Sequence, residues 1–367
     1  MFSLKRVICY ILSIALTYFV FNYIFSKIDF SDVYTLIRQS DKNAIAAFLS
    51  LSLIGSYCRA WRYQLLLAQS GKATPTGCLF LIVLIRNLCA DILPAKLGSA
   101  AYIFLVNKKL GVNLTSCTNS FVLAFIFDMI ALTPLLIYAS WSLLGSQTNS
   151  VQLTLSISLV LTFLFCILLW RLNEILRLLL KALARLSNSN APVTRLKLWL
   201  EQTSTEVNLA IKNQTYLPVF LISLLIRICK YGSLYFLLCA FLRPLDDAIY
   251  SLQPNQAFLG IFAAELAASS PISGIGGFGA YEGAWIFTFK LLGLSEYLAN
   301  TTAISHHIFT QAYGYLLGCL AILLLFTTYR KPLPSNLIVI SSQNWRLKYL
   351  ALVILTICVP TLLLSLS

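Results

Sequence analysis

The sequence predicts an all-α polytopic membrane protein with about seven full spans and two broken, re-entrant helical hairpins. Of its 367 residues, 59% are hydrophobic and 11% are charged, and the mean hydropathy is +0.81. Soluble domains carry about 25% charged residues, so this chain is expected to lie mostly in a bilayer. Proline and glycine interrupt the apolar segments at two places, which predicts helices that break at membrane depth.

The net charge of +14 comes from 27 Lys and Arg against 13 Asp and Glu. These basic residues lie in short segments between apolar runs, a distribution that indicates topology and attraction to anionic lipid rather than nucleic-acid binding. The ten cysteines form no C-x-x-C pair, and we interpret them as buried apolar residues rather than disulfides or metal ligands. His306 and His307 are adjacent, so they point about 100° apart on a helix. No metal site or cofactor is expected.

The first predicted span covers residues 7–25, whose 19 residues without a small-residue cleavage site favour a retained span over a signal peptide. Residues 28–42 alternate charged and apolar residues, which predicts an interfacial helix. The second span begins near residue 44. It ends in Arg59, Trp61 and Arg62, a combination typical of the cytoplasmic interface.

The first broken hairpin is predicted over residues 77–110. Arg86 interrupts its apolar run, and Asn87, Asp91 and the break at residues 93–98 follow. Neither flanking piece reaches the about 20 residues that a spanning helix needs. The segment is therefore expected to enter and leave the membrane on the same side.

Further full spans are predicted at 115–140, 151–170, 216–242, 301–327 and 347–365. Residues 171–213 carry seven Lys or Arg, three Glu and leucines at helical spacing, which predicts amphipathic helices on the cytoplasmic face. We expect a transmembrane domain over residues 1–330, and a basic loop with a final span over 331–367.

The second broken hairpin is predicted over residues 256–293, with its break at 269–283. This break contains Pro271, five glycines and the acid Glu282. Its Gly-x-Gly-x-x-Gly string from residue 274 lacks the preceding strand of a dinucleotide site. Close helix packing by small residues is an open alternative, whereas Pro271 and Glu282 favour a binding site.

The distribution of basic residues supports this topology. With the N-terminus inside, the predicted cytoplasmic segments hold 18 of the 27 Lys and Arg, and the outside segments hold four with six acids. Cytoplasmic loops of membrane proteins are enriched in Lys and Arg. The two hairpins then enter from opposite sides, as in an inverted repeat whose breaks meet near the midplane. We expect the protein in the cytoplasmic or inner membrane of a prokaryotic cell.

Nine ionisable residues fall within the predicted membrane segments. Each costs about 2.5–3.5 kcal/mol at the centre of an isolated helix, so they must pair, reach the interface or line a hydrated cavity. Structural ion pairs and a polar pathway both remain open. Arginine and exposed helix N-termini both suit a phosphate. Arg227 and Lys230 are predicted to lie on one helical face, and they are expected to bind the phosphate together with Arg86. The nine are Arg86, Lys96, Arg227, Lys230, Lys290, Asp91, Asp128, Glu265 and Glu282.

The chain resembles the membrane region of the lysylphosphatidylglycerol synthase/flippase family. The matching pieces are Arg59-Ala-Trp-Arg62, Asn87 with Leu93-Pro94-x-x-Leu97-Gly98, Asp128, and Pro271-Ile-Ser-x-x-Gly276-Gly277-x-Gly279-x-x-Glu282. Family members usually have Gly-Arg after the first proline, where this chain has Ala95-Lys96. They also usually carry Glu-Arg just before the acid of the next span, where this chain has apolar residues. No segment is long and polar enough for the soluble aminoacyl-transferase domain of bifunctional members.

The resemblance implies a lipid flippase or transporter-like protein, not a lipid-modifying enzyme. The leading hypothesis is a translocase that moves an anionic lipid or lipid-linked glycan. The alternative is a membrane accessory protein of a lipid glycosyltransferase or envelope-lipid pathway, docking through residues 171–213. Asp91, Asp128 and Glu265 are expected to balance charge or couple protons. The predicted substrate-binding residues are Arg86, Asn87, Pro94, Lys96, Gly98, Arg227, Lys230, Pro271, Gly274, Gly276, Gly277, Gly279 and Glu282.

Overall fold

In a computed structural model of the chain, the described residues form α-helices joined by turns, and no β-strand occurs among them. This confirms the predicted helical class. Most of the predicted first span and all of the last span at 347–365 lie outside the described residues. The structure describes residues 15, 18–27, 29–72, 74–92, 98–141, 149–184, 191–245, 252–270 and 277–329.

Eleven helices follow a short helical segment at residues 18–25, counting only those in the described part of the chain. They are α1 Phe30–Gln39, α2 Lys42–Leu67, α3 Thr76–Ile92, α4 Gly98–Leu110, α5 Leu114–Trp141, α6 Asn149–Ala184, α7 Ala191–Lys212, α8 Tyr216–Leu242, α9 Pro254–Ala268, α10 Ala280–Leu291 and α11 Glu296–Thr328.

Four of the described helical segments are long and apolar enough to cross a membrane: Lys42–Ser70, Leu114–Ala139, Tyr216–Leu245 and Glu296–Thr328. They coincide with four of the predicted spans. The predicted span at 151–170 lies within α6, which runs on without a break to Ala184. The helix therefore continues into the polar segment instead of ending at residue 171, where that segment begins.

Both predicted breaks coincide with interruptions of helical structure. α3 ends at Ile92 and α4 begins at Gly98, while α9 ends at Ala268 and α10 begins at Ala280. These four helices have 12 to 17 residues, fewer than the about 20 of a spanning helix. Five predicted site residues lie outside the described part of the chain: Pro94, Lys96, Pro271, Gly274 and Gly276.

The chain divides into two compact units. Unit 1 comprises Met1–Ile54, Leu84–Gly98 and Cys229–Leu320, and unit 2 comprises Gly55–Val83, Ser99–Ile228 and Ala321–Ser367. Unit 1 therefore contains residues that flank both helix breaks. Unit 2 contains the predicted amphipathic segment.

In unit 1, α9 and α10 pack against each other as an antiparallel pair. Ala268 lies close to Gly277 at one end of the pair, and Gly260 lies against the ring of Phe289 toward the other. A Cβ atom added at Gly260 would lie 2.7 Å from that ring, which is closer than van der Waals contact. Glycine therefore sets the distance between these two helices.

Substituting Gly260 with valine is expected to destabilise the protein by about 1–3 kcal/mol, because inserted methyl groups overpack a filled interface. The measurement is the unfolding midpoint of the purified protein in detergent micelles. Gly283→Ala is the matched control on α10, because a Cβ there meets no atom within 4 Å. Equal midpoints for both variants would contradict the close packing of α9 on α10.

Unit 2 contains the segment predicted to be amphipathic, as the end of α6 and the whole of α7. Leu176, Leu200 and Val207 form a buried cluster between these helices. Residues 175 and 179, which share the predicted apolar stripe, are exposed instead. The buried carboxylate of Glu206 accepts a hydrogen bond of 2.7 Å from Asn119 Nδ2 on α5. The helical prediction is confirmed, and the cytoplasmic location stays a prediction.

The predicted interfacial segment contains α1, a ten-residue amphipathic helix. Val33 and Leu36 are buried on one side, whereas Phe30 and Tyr34 are exposed on the other. Eight cysteines fall among the described residues, and none of these eight is in a disulfide. Five of these are buried, and Cys166 and Cys319 are exposed.

Candidate functional site

The second helix break surrounds a buried carboxylate in unit 1. Glu282 lies in the first turn of α10 with its side chain 0% exposed. The backbone N–H of Gly279 donates to Glu282 Oε2 at 2.7 Å, and Nδ1–H of His307 donates to Oε1 at 2.5 Å. Gly277 and Gly279 have φ angles of +85° and +111°, a region that residues other than glycine rarely adopt. These glycines therefore permit the unwound backbone that holds the carboxylate.

His307 is held by an amide and two aromatic rings. Its Nε2 atom lies 3.0 Å from the amide nitrogen of Gln311, which can only donate, so this ring nitrogen accepts and the proton is on Nδ1. The rings of Phe278 and Tyr281 lie 4.3 and 4.4 Å from the imidazole between centroids. A second proton on Nε2 would require the Gln311 amide to turn and present its oxygen.

His306, like its neighbour, has a protein partner at each ring nitrogen, and one of these partners is a backbone carbonyl. Its Nε2–H donates to the carbonyl oxygen of Leu234 at 3.0 Å, and the hydroxyl of Tyr281 donates to Nδ1 at 3.0 Å. A backbone carbonyl can only accept, so Nε2 carries a proton. His306 therefore positions Tyr281, which in turn covers His307.

Charged side chains from three other helices lie near this pair. Lys230 Nζ on α8 lies 2.8 Å from Glu265 Oε2 on α9. Asp91, at the end of α3, interacts electrostatically with Lys230, His307, Arg86 and Glu265. Within the described part of the chain, no cation lies within 4 Å of the Asp91 carboxylate. Residues beside both breaks thus belong to one charged cluster, which we call the break cluster.

A second charged cluster lies in unit 2. Arg62 on α2, 1% exposed, forms two hydrogen bonds to Asp128 on α5, at 2.7 and 3.0 Å. Its Nη1 also donates to Ser223 Oγ at 2.8 Å. Arg227 on α8 donates to the backbone oxygen of Asp128 at 3.3 Å, with 3.7 Å to Oδ1. This buried network joins α2, α5 and α8, and we call it the arginine cluster.

The sequence model of the lysylphosphatidylglycerol synthase TM region matches residues 10–319. The chain belongs to this family. The match covers both helix breaks and all the residues of both charged clusters. A comparison with curated proteins finds no match to the chain.

Membership of the lysylphosphatidylglycerol synthase TM family confirms the resemblance that the motifs predicted, and it identifies the chain as an α-helical membrane protein. The motif residues fall in two separate clusters. Asn87, Asp91 and the residues around Glu282 belong to unit 1, whereas Arg62 and Asp128 belong to unit 2. Among the described residues, no group of three or more His, Cys, Asp or Glu side chains is arranged to hold a metal ion.

The three cations predicted to bind one phosphate are divided between the units of this family member. Arg86 and Lys230 belong to unit 1, and Arg86 Nη1 lies 3.5 Å from Asn87 Oδ1. Arg227 belongs to unit 2, in the arginine cluster. The backbone at Gly98 lies so close to α3 that an added Cβ would be 2.6 Å from Ala90 Cβ.

One predicted interface residue also differs from expectation. Arg62 is buried rather than exposed at an interface, because α2 continues past it to Leu67 and Asp128 neutralises its charge. Arg59 and Trp61 are partly buried. Lys290 lies at the end of α10, where its Nζ is 3.3 Å from Glu296 Oε2.

His307, the partner of Glu282, was not predicted from the sequence, and neither were Gln311 and Tyr281, which contact His307. His307 lies 25 residues from Glu282, beyond any local motif. The detectable signal was the spacing of His307 and Gln311, which puts them one turn apart on the same face of a helix. A polar pair at that spacing in an apolar span indicates a buried polar partner.

Proposed function

We propose that the protein is a translocase for an anionic lipid or lipid-linked glycan, and that the polar head group passes along the break cluster. The supporting observation is the gathering of Asp91, Lys230, Glu265 and the buried Glu282–His307 pair next to both helix breaks. Ionisable groups within membrane segments are costly and usually mark a substrate or ion pathway. In transporters such sites are formed by discontinuous helices.

The charges of the break cluster favour proton uptake together with an anionic head group. Arg86 and Lys230 supply two positive charges, against three carboxylates on Asp91, Glu265 and Glu282, so the cluster is negative by one while His307 is neutral. A phosphate would add negative charge in a medium of low dielectric, where like charges repel strongly. Protonation of Asp91 or His307 would offset it. Lys230 would then move from Glu265 to the phosphate.

The test is reconstitution into liposomes, with a labelled anionic lipid followed between leaflets. Gly277→Leu is expected to slow transport by at least about tenfold, because φ at residue 277 is +85° and side chains there strain the backbone by about 1–3 kcal/mol. A Cβ at this position would also lie 3.5 Å from the His307 ring.

Gly71→Leu is the matched control, because Gly71 has a φ of +74° and lies outside the break cluster. Both variants should lose similar stability, and only Gly277→Leu should lose transport. Absence of lipid movement by the intact protein, across several anionic lipids, would reject a translocase. If Gly277→Leu transports lipid at the unchanged rate, the glycine segment serves only close helix packing.

A docking protein for a lipid glycosyltransferase is the second candidate, favoured by the outer surface of α7. Leu196, Leu198 and Trp199 are exposed there beside Arg195 and Lys197. Leu200 and Val207 of the same helix are buried against α6. A double substitution of Leu198 and Trp199 by serine separates the candidates. A translocase should keep its transport rate, whereas a docking protein should lose co-purification with the transferase.

A further inference from the structure

A groove lies in unit 1 between the helical residues 18–25 and one face of α10. Its volume is about 610 Å³, within the range of about 300–1,000 Å³ typical of ligand pockets. The residues from α10 are spaced i, i+3, i+4, i+7 and i+8, so they form one continuous stripe along the helix. They are Gly283, Ile286, Phe287, Lys290 and Leu291.

The walls of the groove are apolar and face outward. Phe19 and Tyr23 line it from the opposite helix. Phe19 and Phe287 are both 68% exposed, and Leu291 is 71% exposed. Gly283 widens the groove, since a Cβ there would meet no atom within 4 Å. In a membrane protein, an exposed surface of this composition faces the acyl chains of lipids.

One end of the groove is basic. Lys290 Nζ lies 3.3 Å from Glu296 Oε2, and Lys27 Nζ lies 3.6 Å from Oε1 of the same carboxylate. The hydroxyl of Tyr23 donates to that oxygen at 3.0 Å. These three side chains, two lysines around one glutamate, together carry one positive charge. Basic pockets beside membrane helices bind anionic lipid head groups.

We propose that this groove binds an anionic phospholipid of the bilayer, with one acyl chain along α10 and the phosphate between Lys27 and Lys290. The charge selects an anionic head group, and the apolar stripe selects a hydrocarbon chain attached to it. A protein segment or a second copy of the chain would need acidic groups at the same end. The site goes beyond the transport proposal, because a resident lipid can occupy it whether or not lipids are moved.

The experiment places the full-length protein in nanodiscs of phosphatidylcholine with a small fraction of phosphatidylglycerol that carries a photoactivatable acyl chain. After illumination, mass spectrometry maps the labelled peptides. Labelling is expected to concentrate in residues 18–27 and 280–291. Unlabelled phosphatidylglycerol should displace the probe more effectively than unlabelled phosphatidylcholine.

Two charge variants should act in opposite directions. Lys290→Gln is expected to reduce labelling about fivefold, and Glu296→Gln to increase it by a similar factor, since a basic residue near an anionic head group contributes about this much to binding. Both substitutions remove the same ion pair, so a merely structural role would move them together. Lys42→Gln, at an exposed lysine outside the groove, is the control for charge.

Gly283→Leu tests the acyl chain part of the site, because Gly283 lines the groove and a Cβ there meets no atom within 4 Å. Labelling should fall at least about fivefold, whereas Ala46→Leu, at an exposed position of α2, should leave it unchanged. Uniform labelling over the surface, or equal displacement by phosphatidylcholine, would overturn the proposal. Crosslinking of two copies through these peptides would assign the groove to self-association instead. If labelling is normal but the protein moves no lipid, the lipid site in the groove stands and the translocase proposal is rejected.

Discussion

Asp128→Leu is expected to lower the free energy of unfolding by about 3–5 kcal/mol, the effect of leaving a buried charge without its partner. Arg62 is 1% exposed and makes two hydrogen bonds to this carboxylate. Its remaining hydrogen bond, to Ser223, is to a neutral group and cannot neutralise the guanidinium. The measurement is equilibrium unfolding of the purified protein in detergent micelles.

The double variant Arg62→Met/Asp128→Leu separates two effects: leaving one buried charge without its partner, and replacing both side chains by apolar ones. Replacement of a buried ion pair by apolar residues of similar volume is often close to neutral, so most of the lost stability should return. Arg227→Gln is the milder comparison, because its closest approach to Asp128 Oδ1 is 3.7 Å. If the stability losses of the single variants Arg62→Met and Asp128→Leu simply add in the double variant, Arg62 and Asp128 are not a coupled pair.

Glu282→Gln is expected to reduce lipid transport by roughly 10–100-fold, equivalent to loss of charged hydrogen bonds worth about 1.5–3 kcal/mol. The amide offers only one oxygen where the carboxylate accepts from both Gly279 N–H and His307 Nδ1–H. The measurement is the initial rate of lipid movement in liposomes, at several pH values and equal protein density.

The pH dependence should change together with the rate. Because the break cluster has a net charge of minus one, proton uptake should accompany binding of the anionic head group. The transport rate of the unsubstituted protein is therefore expected to rise as pH falls. Glu282→Gln removes that excess charge, so its residual rate should vary less with pH. The groups that face the Glu282–His307 pair are Asp91 and Arg86 from α3, Lys230 from α8, Glu265 from α9, Tyr281 from α10 and His306 from α11.

The adjacent histidines provide a matched comparison. His307→Gln removes the group that bonds Glu282 and should flatten the pH profile as Glu282→Gln does. His306→Gln disturbs the contacts to Tyr281 and Leu234, so it should lower stability and leave the shape of the profile intact. Identical profiles for the two histidine variants would refute a special role of His307.

Local chemistry made both helix breaks predictable. Proline and clustered glycines act on the backbone within a few residues of themselves, so α3, α9 and α10 end or begin where the sequence indicates. Glu282 could also be singled out, because an acid in an apolar segment requires a partner. Its partner could not be named, since the contact with His307 depends on how α10 and α11 pack.

The predicted shared site of Arg227 and Lys230 shows the limit of helical spacing. Three residues along a helix differ by about 60° in direction and 4.5 Å in height, so the two cations were assigned to one face. In the structure Arg227 bonds Asp128, and Lys230 bonds Glu265. Long cationic side chains turn toward the nearest carboxylate. Which carboxylate is nearest depends on tertiary packing. Arg62 was misplaced for the same reason, since Asp128 lies 66 residues away.

The continuity of α6 has a mechanical consequence. Its 36 residues correspond to a rod of about 54 Å at 1.5 Å per residue, whereas the hydrocarbon core is about 30 Å thick. With the predicted span at 151–170 in the bilayer, the rod would extend well beyond the apolar layer, and its C-terminal part packs on α7 through Leu176 and the leucines around it. A change of about 10° in its tilt would displace that end by about 4 Å, given the roughly 24 Å that project. In that arrangement, α6 would transmit motion from the bilayer to the polar segment outside it.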